Sequence, residues 1–390
     1  MRFDAVVIGA GPGGSTSAIA LARAGWRVAL IEKASFPRRK VCGEFLSATS
    51  LPVIDRLGIG EDWRAAAGPE VRRLALFAGE RVVDAPMPAG EGYGRALGRD
   101  ILDLKLAEEA KRSGVALFQP ARALSLAPDG DGQIVHIEGS DGEAELQASV
   151  VIAAHGSWEP GALASHLPKR HERTDLLGFK AHFHGATLAR DLMPLLACPG
   201  GYGGIVWADG GRLSLSCCIR RDVLAELRQR DPGLSASAAL HRHLLASSLG
   251  IRRAIGEAVL AGPWLAAGPI RPGIRAAYAD DIFRVGNVAG ESHPIIAEGI
   301  SMAIQSGWLL AQALGTDTAP SRAARQRAGK RYEAAWRRQF AGRIRAAGLF
   351  AGIALHAPSA AVAGALIAAA PAILTLGARL SGKTKPIAFV

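Results

Sequence analysis

Residues 9–14 read Gly-Ala-Gly-Pro-Gly-Gly and sit between two short apolar runs. Glycine has no Cβ and costs backbone entropy, so a cluster of it marks a place where another group must approach the main chain closely. The run before it, "FDAVVIG", is rich in valine, as a strand buried on both faces is. Residues 13–25 are small and apolar and read as a helix, and "RVALIE" reads as a second strand, which makes a β–α–β unit. Gly9, Gly11 and Gly14 have G-x-G-x-x-G spacing, Pro12 opens the helix, and Glu32 and Lys33 end the second strand. In that context the spacing predicts a dinucleotide site. Gly9 permits the turn, Gly11 lets a pyrophosphate touch the backbone, and Gly14 lets helix and strand pack closely. The helix N-terminus faces the phosphates, and Glu32, with Lys33 beside it, faces the adenosine ribose.

The chain of 390 residues is too long for one small core, and 49% of it is hydrophobic. Buried strands recur at 148–156 and 281–290, and amphipathic or apolar helices at 98–115 and 298–314. Between them, residues 70–86 and 176–222 alternate and carry turn glycines, as antiparallel sheet does. The expected fold is α/β: a Rossmann-like domain (1–70, 95–165 and 275–320) interleaved with an antiparallel-sheet substrate domain (71–94 and 166–274), followed by a helical region, 321–390. Cys42, Cys198, Cys217 and Cys218 form no C-x-x-C pair, so no metal site is expected, and the chain reads as made in a reducing, cytoplasmic compartment.

The net charge of +11 is mostly scattered arginine, and nucleic acid is not the expected partner. Residues 322–345 hold nine basic residues and one acid, with Tyr332, Trp336, Phe340 and Ile344 spaced by four. That is a helical stripe packed on a core. Residues 346–378 then carry no Asp, Glu, Lys or Arg. Pro358 and Pro371 interrupt them, so a clean spanning helix is not expected. Two readings stay open for 322–380: packing against the protein's own core and capping of a greasy pocket, or peripheral contact with the inner face of a membrane.

The segment Gly286-Asn287-Val288-Ala289-Gly290, followed by Pro294-Ile295-Ile296-Ala297-Glu298-Gly299-Ile300, resembles the carboxy-terminal flavin motif of a flavoprotein superfamily. That superfamily contains aromatic-ring hydroxylases, geranylgeranyl reductases and flavin-dependent halogenases. Arg99 and Asp103 stand where its "R…LD…L…A" helix carries an arginine toward the adenosine diphosphate, and "FPRRKVCGEFLS" is similar to a stretch of its reductase and halogenase branches. The resemblance implies FAD, bound by Gly9, Gly11, Pro12, Gly14, Glu32, Lys33, Arg99, Gly286, Asn287, Pro294, Gly299 and Ile300. The donor of electrons is NAD(P)H or an external reductase. Asn287 replaces the family's aspartate, His155 replaces an aspartate near the flavin, and Ala297 replaces a loop glycine, which implies a different backbone path there.

His293 and Cys42 are the catalytic candidates, and Lys180, His182, Tyr202 and Trp207 are the expected pocket residues. Residues 41–104 contain no lysine and no G-W-x-W-x-I-P stretch occurs, which disfavours halogenation. The reaction expected first is FAD-dependent hydroxylation of a hydrophobic, phenolic or polyketide-like small molecule in secondary metabolism. The alternative is reduction of isoprenoid or other C=C bonds. A non-catalytic flavin carrier is the outlying reading.

Overall fold

The structure, a computed structural model, describes residues 1–388 except residues 89, 91, 141, 158–160 and 169. Two eight-stranded sheets carry the chain. In the first, Arg2–Ile8 lies between Val28–Ile31 and Gly142–Ala153, all parallel, with Ala5 opposite both Val28 and Val150. Ala116–Phe118 and Ile282–Arg284 extend the parallel set on either side. Ala5 and Val7 pack among the helices of the largest core, while Val6 and Ile8 pack against the strands Ala121–Asp129 and Gly132–Gly139. Both faces of this strand are buried, which is why the sequence does not alternate there.

The second sheet runs in the order Val259–Leu260, Leu176–His184, Leu213–Arg220, Gly201–Trp207, Leu192–Cys198, Arg73–Ala78, Arg81–Pro86, with Leu265–Ile270 also paired to Leu176–His184. It is antiparallel except where Leu192–Cys198 runs parallel to Arg73–Ala78. The chain leaves this sheet after Pro86 and returns only much later, so no hairpin dictates the direction of re-entry. Phe179, Ala181 and Phe183 face a core shared with Leu240, Leu244 and Ile251 of the helices beneath the sheet.

After the helix Gly299–Leu314 comes the long helix Arg322–Leu355, and its Tyr332, Trp336, Phe340 and Ile344 are buried as the spacing predicts. Two of its arginines also turn inward. Arg325 pairs with Asp281 at 2.9 Å, and Arg343 donates to the Gln305 amide oxygen at 3.4 Å. Two short helices, Ala357–Ala369 and Ala372–Leu380, complete the chain. Among the described residues no single helix is long and apolar enough to cross a membrane; the long helix and Ala357–Ala369 meet at a bend of 104°.

Candidate active site

One cavity of about 940 Å³ runs from the glycine turn, past the loops at 38–45 and 285–300, to the second sheet and the C-terminal helices. Its first end is the β–α–β unit. Gly9 has φ 108°, and a Cβ there would lie 2.7 Å from the carbonyl oxygen of Ala154. A Cβ on Gly14 would collide with the carbonyl oxygen of Gly9. Gly11 faces the cavity, and its missing Cβ would meet only the Arg99 guanidinium, 3.7 Å away. The helix Pro12–Arg23 starts there with no side-chain cap, so its first N–H groups are offered to whatever fills the cradle. Glu32 is 5% exposed at the cavity wall and accepts from the backbone N–H groups of Ala10 and Ala34, each at 3.0 Å. Arg38, which the sequence reading left unassigned, bridges Glu32 and Asp103 at 3.2 Å to each. Asp103 also holds Arg99 by two bonds of 2.7 Å, and Arg99 lines the cavity beside Cys42.

The helix Gly299–Leu314 supplies the other end. It too begins without a side-chain cap, and Gly299 and Ile300 line the cavity together with Gly286, Asn287 and Pro294. Two uncapped helix N-termini with positive dipole ends thus face one cavity, one suited to a pyrophosphate and the other to an electron-rich ring carbonyl. The two helices are held together directly: a Cβ on Gly307 would collide with the carbonyl oxygen of Gly13. The residues present therefore fit a dinucleotide such as FAD, with Gly11 and Arg99 at the phosphates, Glu32 and Lys33 at the adenosine end, and Gly299 and Ile300 at the ring. We expect Gly14→Ala to yield protein without the absorbance of bound flavin, because the new methyl group displaces the turn itself.

Ala297 occupies the left-handed region at φ 51°, ψ 43°, where glycine is favoured. An L-residue pays about 1–2 kcal/mol for that conformation, offset in part by the extra entropy glycine loses on folding. Ala297→Gly is therefore expected to raise thermal stability by on the order of 0.5–1 kcal/mol, read from the unfolding midpoint with and without FAD.

Beside the ring end lies a buried ionic cluster that sequence reasoning missed. Glu44 is a second non-glycine residue in the left-handed region, at φ 62°. Its Oε1 pairs with Lys180 Nζ, and its Oε2 lies 2.8 Å from His182 Nε2. Lys180 also donates to the Cys42 carbonyl oxygen at 3.1 Å, and the other ring nitrogen of His182 lies 3.4 Å from Arg39. Burial alone would raise the Glu44 carboxyl, but the His182 hydrogen bond and the Lys180 charge outweigh it and hold the group well below the carboxylate range. Burial lowers the Lys180 ammonium below its ordinary value, against the opposing pull of Glu44.

This cluster corrects the expected pocket. Lys180 and His182 are each 1% exposed and turn to Glu44; of the three, only Glu44 lines the cavity. Trp207 is also misassigned: its indole N–H donates to the Leu188 carbonyl oxygen at 3.0 Å in the core under the sheet. Tyr202 does line the cavity. His293 stands behind it, with Nδ1 at 3.2 Å from the Tyr202 hydroxyl, and is not part of the wall. Burial lowers His293 and raises Tyr202, so both are neutral near pH 7. Cys42 is at the wall, and its sulfur accepts the Glu44 N–H at 3.4 Å. His155 lies at the wall with Nε2 at 2.8 Å from the Ser165 hydroxyl.

Residues 2–182 match the FAD binding domain family. The chain is 28% identical over 328 residues to the menaquinone reductase of Mycobacterium tuberculosis, covering 80% of this chain and 76% of that protein. It is 29% identical over 355 residues to the digeranylgeranylglycerophospholipid reductase 2 of Methanopyrus kandleri, covering 87% and 83%. Among solved structures, the myxobacterial chondrochloren halogenase superposes with a TM-score of 0.74 at 20% identity, over 87% of this chain and 80% of the other. A geranylgeranyl bacteriochlorophyll reductase-like protein of Thermoplasma acidophilum gives 0.72 at 19% identity, over 91% and 88%. These last two likenesses bear on the fold. The match over residues 2–182, taken with the glycine cradle and the two uncapped helix ends, gives the chain an FAD binding domain and FAD as its cofactor, and over most of its length the chain is similar to FAD-dependent oxidoreductases.

Proposed function

We propose that the protein reduces C=C bonds in a long apolar lipid of isoprenoid type. The observation that carries this reading is the substrate end of the cavity. Leu74, Leu76, Met193 and Leu195 of the second sheet face Ile353 and Ile367 of the C-terminal helices there, a lining suited to a hydrocarbon chain. Both curated relatives named above are reductases, and the names of their substrates denote polyprenyl-bearing lipids. The hydroxylation expected first from sequence has no comparable support.

When bound, FAD supplies the hydride for one carbon of the double bond, and NAD(P)H or a separate reductase restores it. The chain's own residues position the substrate, keep water out and provide the proton for the other carbon. That proton is held at Lys180 Nζ and passes through the hydrogen-bonded Glu44 carboxylate, the member of the cluster that reaches the cavity, leaving Lys180 as the neutral amine. His182 extends the buried polar chain from Glu44 to Arg39, which is half-buried at the cavity wall.

The test is an anaerobic incubation of FAD-loaded enzyme with a chemical or NAD(P)H reductant and geranylgeranyl or polyprenyl-quinone lipids. The expected product gains two hydrogen atoms per double bond, without oxygen. A product that instead gains an oxygen atom, formed only in air, refutes the reductase reading in favour of hydroxylation.

A further inference from the structure

The helices Ala357–Ala369 and Ala372–Leu380 form a roof one helix thick over the cavity. Ala360, Ala363 and Ile367 of the first, and Leu374 and Ala378 of the second, line the cavity from above. A helix that covers a core normally turns charged side chains outward. The first roof helix has no charged residue at all. Val362 and Leu366 stand on its outer side, and Leu376 and Leu380 on that of its neighbour, between 54% and 61% exposed. Their spacing of four places each pair on one helical face. With Leu349 at the end of the long helix, these are five of the ten large hydrophobic side chains exposed among the described residues. Such concentration on one face marks an interaction surface rather than ordinary surface scatter.

The charge around this face selects the partner. After Glu333 the chain contains no acidic residue. Arg345 and Arg379 bound the uncharged stretch, and Arg338 and Lys385 are exposed nearby in sequence. Arg343 and Lys383 are excluded from this count, because they are buried against Glu298. Asp84, which lies beside Leu376 and Arg379, is paired with Arg73 at 2.7 Å. An apolar face bordered mainly by basic residues complements the headgroups and acyl boundary of an anionic bilayer. The bend of 104° before the first roof helix keeps the apolar length from forming one straight span.

We propose that the outer face of the two roof helices docks on anionic phospholipid membranes, inserting Val362, Leu366, Leu376 and Leu380 at the level of the headgroups. The inner face of the same helices is the wall of the substrate cavity. Docking therefore brings the cavity to within one helix of the lipid phase, so that an apolar substrate need not cross water. The proposal stands on the exposed face and its charge, independently of which reaction the flavin performs.

The experiment is flotation of FAD-loaded full-length protein with vesicles of phosphatidylcholine alone, or of phosphatidylcholine with phosphatidylglycerol. The expected result is flotation with the anionic vesicles, reduced by high salt and weaker on phosphatidylcholine alone. The double variant L366E/L376E changes only outward residues and should weaken binding by about tenfold or more, while its flavin spectrum and unfolding midpoint stay those of the parent. R345E/R379E should remove the preference for anionic vesicles. Wild-type protein that stays unbound at low salt overturns the proposal, as does a folded L366E/L376E that floats like the parent. A concentration-dependent dimer that vesicles fail to dissociate and that L366E/L376E abolishes also overturns it, by assigning the face to a second copy. Turnover of a water-dispersed substrate is read separately, so failure of docking and failure of the reductase reading are distinguishable.

Discussion

Lys383→Met is expected to destabilise the folded protein by about 3 kcal/mol, because it leaves a buried carboxylate with only the more distant Arg343, at 3.9 Å, as counter-charge. Glu298 is fully buried immediately before the helix Gly299–Leu314. Its Oε1 lies 2.8 Å from Lys383 Nζ, and its Oε2 accepts from the Ser47 hydroxyl at 3.1 Å. Lys383 also donates to the Ile296 carbonyl oxygen at 2.9 Å and sits 4.8 Å from the centre of the Phe45 ring. One lysine near the C-terminus thus clamps the end of the roof to the loop that leads into the flavin helix. Releasing the tail lets water reach Glu298, so the loss should show first as new protease cleavage between residues 356 and 383, and then as a lower unfolding midpoint. The double variant Lys383→Met, Glu298→Gln should recover part of the loss, since the buried carboxylate is gone and Arg343 keeps its bonds to the Gln305 and Lys385 oxygens. If the single and double variants are equally unstable, the clamp is not electrostatic.

Glu44→Gln should lower turnover by about 10²-fold or more while the protein still binds FAD. It removes the charge that holds Lys180 protonated in a site where burial already pulls the ammonium down. It also removes the carboxylate through which the Lys180 proton reaches the cavity. The same variant tests the pH dependence of stability. A carboxyl whose folded pKa lies below its unfolded value of 4.5 stabilises the fold above that pH, and the contribution is lost as pH falls toward the folded value. The parent should therefore lose stability steeply below about pH 4.5, and E44Q should start less stable at neutral pH and show a shallower acid limb. A parent and an E44Q protein with superimposable acid limbs would contradict the depressed Glu44 carboxyl. Because His182 and Lys180 lie on one strand of the second sheet and Glu44 on a loop of the first half, circular dichroism at neutral pH should still report both sheets.

What was legible in the sequence is what depends on neighbours along the chain. The glycine turn, Glu32, and the segment from Gly286 to Ile300 are local spacings, and the cavity gathers them as expected. The tyrosine-to-isoleucine stripe of the long helix is also local. Trp207 was misread although the signal was present: it lies an odd number of residues from Tyr202 on one strand, so the two cannot share a face. The alternation in "FKAHFHG" correctly separated the faces of that strand. It could not show that a loop from far upstream would cover the polar face and leave only Glu44 at the cavity. Lys383 was invisible for the same reason, because nothing near it in the chain hints at Glu298. Buried ion pairs between distant segments have no periodicity to read.

The contact of Gly13 with Gly307 has a consequence for how this scaffold can change. It locks the two helices that face the cofactor backbone to backbone, with no side chain between them to be exchanged. The roof, by contrast, meets the cavity only through alanines, glycines and a few branched side chains, none of which belongs to that lock. The machinery that holds the flavin and the surface that selects the substrate are therefore separable parts, and a new substrate range can be built into the roof without retuning the cofactor.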